Sequence, residues 1–114
     1  MNKILELINI YEQNGHDFDD KTIREAFGRS LKKLREHKQL TQGQLSDETY
    51  ISRQSISVYE KGEITPTLTS SYKIASYFNL SVEDFIIYGI GAQEVFDEKF
   101  SDITDKYDFE NMDF

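Results

Sequence analysis

Residues 40–62 read LTQGQLSDETYISRQSISVYEKG, and the fold of the chain turns on them. Thr41 is followed three residues later by Gln44, the spacing of a capping box. The hydroxyl accepts from the backbone N–H at the third helical position while the amide reaches back to the cap. A helix over about 41–48 is therefore predicted. Ser52 is a second N-cap candidate, opening a helix across residues 53–61 with Ile56 and Tyr59 facing inward. Gly62 is placed to end that helix just past its C-cap, where glycine tolerates left-handed backbone. About three residues separate the two short helices.

Working outward, residues 2–14 place Ile4, Leu5, Leu7, Ile8 and Tyr11 at amphipathic helical spacing, ending near Gly15. His16 to Asp20 reads as a polar linker. From Lys21 to Lys38, Ile23, Phe27, Leu31 and Leu34 recur at helical intervals, with Arg24, Arg29, Lys32, Lys33 and Arg35 on the other faces. Pro66 marks a connection. Thr67 is expected to cap a helix that buries Leu68, Ile74, Ala75 and Phe78 and ends at Asn79. Ser81 and Asp84 open another, with Val82, Phe85 and Ile86 apolar. Gly89 and Gly91 are expected to loosen the chain, and residues 92–100 to form one more short helix. No strand-like alternation and no hairpin signal occurs, so the class is all-α.

At 114 residues the length suits a single domain that can bury a core of its own. There is no cysteine, which excludes disulfides and thiol chemistry. The apolar runs are too short to span a membrane, and the first eighteen residues lack the charged, apolar and cleavage regions of a signal peptide. The expected location is the cytoplasm, with no membrane partner. The net charge of −8 is unevenly spread: residues 1–20 carry −4, residues 21–80 carry +4 and residues 81–114 carry −8. A basic middle between acidic ends can still attract phosphate, because screening acts over about 8 Å. His16 and His37 lack metal-ligand spacing. Asp17, Asp19 and Asp20 lack the order of a calcium loop. The glycines at 89 and 91 make no phosphate cradle, and no nucleophile–base pair is present. An enzyme is not expected, nor a cofactor or a metal.

Two short capped helices joined by three residues make a helix-turn-helix, whose second helix can enter a DNA major groove. The stretch from about Phe27 to Phe85 resembles the Xre/Cro family of bacterial and phage repressors, whose DNA-binding domain is lambda-repressor-like. The resembling pieces are Leu34-Arg35, Leu40-Thr41-Gln42, residues 52–57 (SRQSIS), Glu60-Lys61-Gly62, Pro66, Ile74-Ala75 and residues 79–82 (NLSV). The resemblance covers about half the chain. It implies a compact five-helix DNA-binding domain, here with an extra N-terminal helix and a short C-terminal helix and acidic tail. The expected division is 1–20 for the N-terminal helix and linker, 21–88 for the DNA-binding domain, and 89–114 for the C-terminal helix and acidic aromatic tail.

The same resemblance assigns roles. Arg53, Gln54, Ser57 and Val58 match base-facing positions. Arginine can pair with guanine, glutamine with adenine, and valine can pack on a thymine methyl. Gln42 is implied as a phosphate contact and Ser55 as a position near the DNA backbone. Thr41 lies with Gln42 at a helix N-terminus, where free N–H groups suit an anion, and Lys61 is placed to neutralise a phosphate. Arg35 and Glu60 match a structural ion pair that orients the second helix. Lys32, Lys33 and Lys38 read as a solvated face. This chain departs from the family at Tyr50, where glycine is usual and the backbone is commonly left-handed. It departs more mildly at Ser46, where alanine is usual. Gly43, inside a helix, weakens that helix by about 1 kcal/mol against alanine and leaves room for DNA to approach.

The expected function is a sequence-specific double-stranded DNA-binding transcriptional regulator, a homodimeric repressor occluding a promoter at a palindromic operator. Dimers of this kind read half-sites about 34 Å apart. Ile86, Ile87, Tyr88, Ile90, Val95, Phe96 and Phe100 are the expected dimer surface. The N-terminal helix either packs on its own domain or self-associates. The acidic tail either aids solubility or competes with DNA for the basic face. A second reading is a protein-interaction module (an antitoxin, immunity or adaptor protein) that meets a protein partner through the acidic ends and binds DNA only secondarily.

Overall fold

The computed structural model describes residues 3–91, and six helices follow one another there, with no strand among the described residues. They are α1 (Lys3–Gln13), α2 (Asp20–His37), α3 (Gln42–Thr49), α4 (Arg53–Glu60), α5 (Leu68–Tyr77) and α6 (Val82–Gly91). Helices α2 to α6 form the five-helix domain, and α1 is the extra N-terminal helix.

Local chemistry sets the helix boundaries. Thr41 accepts from the Gln44 N–H at 3.0 Å while the Gln44 side chain accepts from the Thr41 N–H at 2.8 Å, closing the capping box. Ser52, Thr67 and Ser81 cap α4, α5 and α6 through the N–H three residues on. Asp19, expected in a linker, caps α2 instead, accepting from the Thr22 N–H at 3.1 Å. That bond holds its carboxyl below the usual aspartate value. Four helices end alike. The residue past the C-cap turns left-handed, and the next N–H reaches back to the carbonyl five residues earlier. The left-handed residues are Gly15, Gln39, Gly62 and Asn79.

Packing assembles two adjoining apolar clusters. The larger joins Phe27, Leu31 and Leu34 of α2 to Leu45, Ile51, Ile56 and Tyr59 of the α3–α4 unit and to Ile74, Ala75, Phe78 and Phe85. The smaller holds Leu7 and Tyr11 of α1 against Ala26, Ile87 and Ile90. Thus α1 packs on its own domain. Burying a side chain such as Leu7 is worth about 1.5–3 kcal/mol. The exposed Lys3–Asp84 pair at 3.0 Å adds little.

These contacts correct several expectations. Ile87 and Ile90 are covered by α1 and leave the expected dimer surface; Ile86 and Tyr88 are half-buried. Leu68, expected inside, is 73% exposed, because α5 buries Ser71, Ile74 and Ala75 and Leu68 sits at its open first turn. Gly89 and Gly91 do not loosen the chain. Both lie in α6, which crosses the division expected at 88/89. A Cβ on Gly89 would sit 1.8 Å from the Ala26 carbonyl oxygen, so the missing side chain is what lets α6 lie against α2. The expected helix at 92–100, the rest of the dimer surface (Val95, Phe96, Phe100) and the acidic tail lie outside the described residues.

Candidate nucleic-acid interface

Helix α4 depends on α2 for its position. Arg24, Gly28 and Arg35 recur at helical spacing along one side of α2. A Cβ on Gly28 would lie 2.4 Å from the Tyr59 carbonyl oxygen, so the backbones of α2 and the last turn of α4 touch. Arg24 donates to the Gly62 carbonyl at 3.1 Å. Arg35 grips Glu60 with two prongs, Nε to Oε2 at 2.6 Å and Nη2 to Oε1 at 2.9 Å, and gives Nη1 to the Leu40 carbonyl at 2.8 Å. The bond to Glu60 raises the Arg35 pKa above its usual value. Both side chains are largely shielded, 13% and 5% exposed. Gln42 joins the cluster, donating to Glu60 Oε1 at 3.2 Å. Two arginines thus meet the carbonyl end of α4, where cations suit the helix dipole.

The turn between α3 and α4 is equally fixed. Tyr50 takes the left-handed conformation, φ 59° and ψ 28°. The backbone shape common in the family is therefore kept without its glycine. The Ser46 hydroxyl donates to the Ile51 carbonyl at 2.6 Å, a clamp that alanine cannot make, so serine at this position is more than a mild change. Ile51 itself is buried.

Helix α4 then divides by face. Ile56 and Tyr59, three apart, enter the core. Gln54, Ser57 and Val58 fall on the far side by helical periodicity, with Arg53 at the entrance. Arg53 and Gln54 are exposed, and Ser57 and Val58 are half-buried; Val58 also packs against the larger cluster. The Arg53 guanidinium lies over Gly43 of α3, 3.8 Å from where a Cβ would stand. Of the positions read as phosphate contacts, Thr41 and Lys61 are exposed, and Gln42 and Ser55 are half-buried. Thr41 and Gln42 stand together at the N-terminus of α3, and Ser55 binds the Ser52 hydroxyl in the first turn of α4. Lys61 stands at the opposite end of α4 as its C-cap.

The free cationic surface is smaller than the count of basic residues suggests. Arg24 and Arg35 hold α4, and Arg29 donates to the Gly89 carbonyl at 2.9 Å. Burial lowers the Arg29 pKa. Lys38 lies 5.3 Å from the centre of the Tyr77 ring. Lys32, Lys33, Arg53 and Lys61 are exposed. Apart from the Leu40 carbonyl, the partners of these arginines lie 25 to 60 residues away, beyond the reach of local pattern.

Comparison with known proteins points the same way. The helix-turn-helix family profile matches residues 31–85. An uncharacterized HTH-type transcriptional regulator of Methanocaldococcus jannaschii is 41% identical over 58 residues, which span 51% of this chain and 88% of that protein. The SPbeta prophage-derived uncharacterized HTH-type transcriptional regulator YonR of Bacillus subtilis is 36% identical over 76 residues, 67% of this chain and 69% of its own length. The HTH-type transcriptional activator BcrR of Enterococcus faecalis is 35% identical over 60 residues, 53% of this chain but 29% of BcrR. No solved structure matches the chain.

Proposed function

Because the chain belongs to the helix-turn-helix family of DNA-binding transcriptional regulators, we propose that it reads a specific double-stranded operator by seating α4 in the major groove, and that it acts as a homodimeric repressor occluding a promoter. The support is the face of α4 opposite the buried Ile56 and Tyr59: Arg53 and Gln54 are exposed there, and Ser57 and Val58 are half-buried at its edges, Val58 also touching the larger cluster. Arg53 and Gln54 can each make two hydrogen bonds to one purine, and Val58 can meet a thymine methyl. Thr41, Gln42, Ser55 and Lys61 supply the phosphate contacts that set register. An amide carries two N–H bonds, so Gln42 can hold Glu60 with one and a phosphate oxygen with the other. Arg35 and Glu60 serve as the structural pair behind the reading helix.

Two such helices must meet successive half-sites about 34 Å apart, which motivates the dimer and the palindromic operator. With Ile87 and Ile90 under α1, that dimer is built from other surface.

Gel-shift titrations at two salt concentrations test the assignment. Arg53→Ala weakens the specific site by roughly 1–3 kcal/mol and relaxes base preference there. Lys61→Ala weakens specific and random duplexes alike and lowers the salt slope by about one. Equal losses on specific and random DNA for Arg53→Ala would refute base reading by that residue.

A further inference from the structure

We propose that Tyr50 is a further DNA contact, its hydroxyl donating to a phosphate oxygen at the edge of the groove that α4 occupies; this rests on the reading of α4 given above. Tyr50 combines two features that folding alone disfavours. Its backbone is left-handed, at φ 59°, where a side chain is strained. Its aromatic side chain is 88% exposed, so it gains almost nothing from the core. Strain held in place by surrounding structure points to function, and here the surroundings are firm. Thr49 and Ile51 on either side are buried, the Tyr50 N–H donates to the Ser46 carbonyl at 2.9 Å, and the Ser46 hydroxyl clamps Ile51. The turn therefore presents the ring from a fixed base.

The place fits the same partner. Tyr50 is the C-cap of α3, two residues before the N-cap of α4 at Ser52, and the Arg53 guanidinium at the start of α4 lies over Gly43 of α3. Tyr50 and Arg53 thus stand three residues apart, on either side of the turn from which α4 begins. A phenol offers one O–H donor on a stiff arm, and tyrosine is among the side chains that bind DNA phosphates. Being neutral, it releases no counterion when it binds.

The test uses the full chain, a duplex enriched by selection and a random duplex. Binding is measured across a salt series beside thermal melting. Tyr50→Phe is expected to weaken both duplexes about tenfold, with the salt slope and the melting temperature unchanged. A merely structural tyrosine would shift melting and leave affinity alone. Tyr50→Gly is expected to lose the same affinity while melting no lower than the parent, because the left-handed strain is relieved. Tyr50→Phe binding within twofold of the parent, in an assay where Arg53→Ala is clearly weakened, overturns the contact whatever Tyr50→Gly does. If Arg53→Ala is also silent, the reading of α4 fails and the Tyr50 contact fails with it.

Discussion

Gly89→Ala is expected to lower the melting temperature by roughly 12 °C or more. The Cβ would stand 1.8 Å from the Ala26 carbonyl oxygen and 2.5 Å from the carbonyl carbon, and backbone cannot rotate away as a side chain can. Helices α2 and α6 must separate. That strains the Arg29–Gly89 bond and opens the cluster of Leu7, Tyr11, Ala26, Ile87 and Ile90. Overpacking typically costs about 1–3 kcal/mol, occasionally more; a clash with backbone falls at the upper end of that range, and each kcal/mol moves the melting point of a small domain by about 4–8 °C. Gly43→Ala is the control. The nearest atoms a Cβ there would meet are the Arg53 guanidinium and the Thr41 hydroxyl at 3.8 Å, an ordinary contact. With a better helix former in α3, stability should rise by up to about 1 kcal/mol. Differential scanning calorimetry on both variants checks the opposite signs. Equal melting points would show that the α2–α6 crossing is not as close as described.

Glu60→Ala should destabilise the domain by about 3 kcal/mol. The Arg35 guanidinium is only 13% exposed and would keep its charge, retaining the Leu40 carbonyl but losing both bonds to Glu60. Gln42 would lose its acceptor as well. The penalty comes mostly from stranding a charge, so removing both partners should be milder than removing one. The double variant Arg35→Met, Glu60→Leu is expected to recover much of the loss. In urea denaturation the single variant should show a lower midpoint with an unchanged slope. A single variant as stable as the parent would mean that the pair does not brace α4. Because this brace joins α2 to the end of α4 and to Gln42, Glu60→Ala should also weaken DNA binding at temperatures where it remains folded.

What the sequence disclosed follows the range over which each effect acts. The caps at Thr41, Ser52 and Thr67 and the ends at Gly15, Gly62 and Asn79 depend on neighbours three to five residues away, and all were legible. So was the buried side of α4, because Ile56 and Tyr59 keep helical spacing. Helical propensity misled at Gly89, where glycine suggests a loose chain. Its reason for being glycine is the Ala26 carbonyl on another helix. Arg24 and Arg29 misled in the same way: charge counts as available surface until carbonyls at Gly62 and Gly89 claim it. Ile87 and Ile90 looked like spare apolar surface because nothing local announces that α1 folds back over them. In the candidate site, family resemblance supplied the residue roles, and local chemistry supplied the N-caps. Neither revealed the Ser46 clamp or the bond from Gln42 to Glu60, because both depend on how the turn and the last helical residue are held in three dimensions.

The central claim is that the outward residues of α4 read bases. It is tested most directly by selecting bound duplexes from a random pool with the parent chain and with Gln54→Ala in parallel. The parent is expected to enrich an inverted repeat whose half-sites lie about one helical turn apart. Gln54→Ala is expected to enrich the same repeat with preference lost at one symmetric position, where adenine pairs with glutamine. Identical preferences from the two proteins, or no enrichment by the parent, would contradict the account.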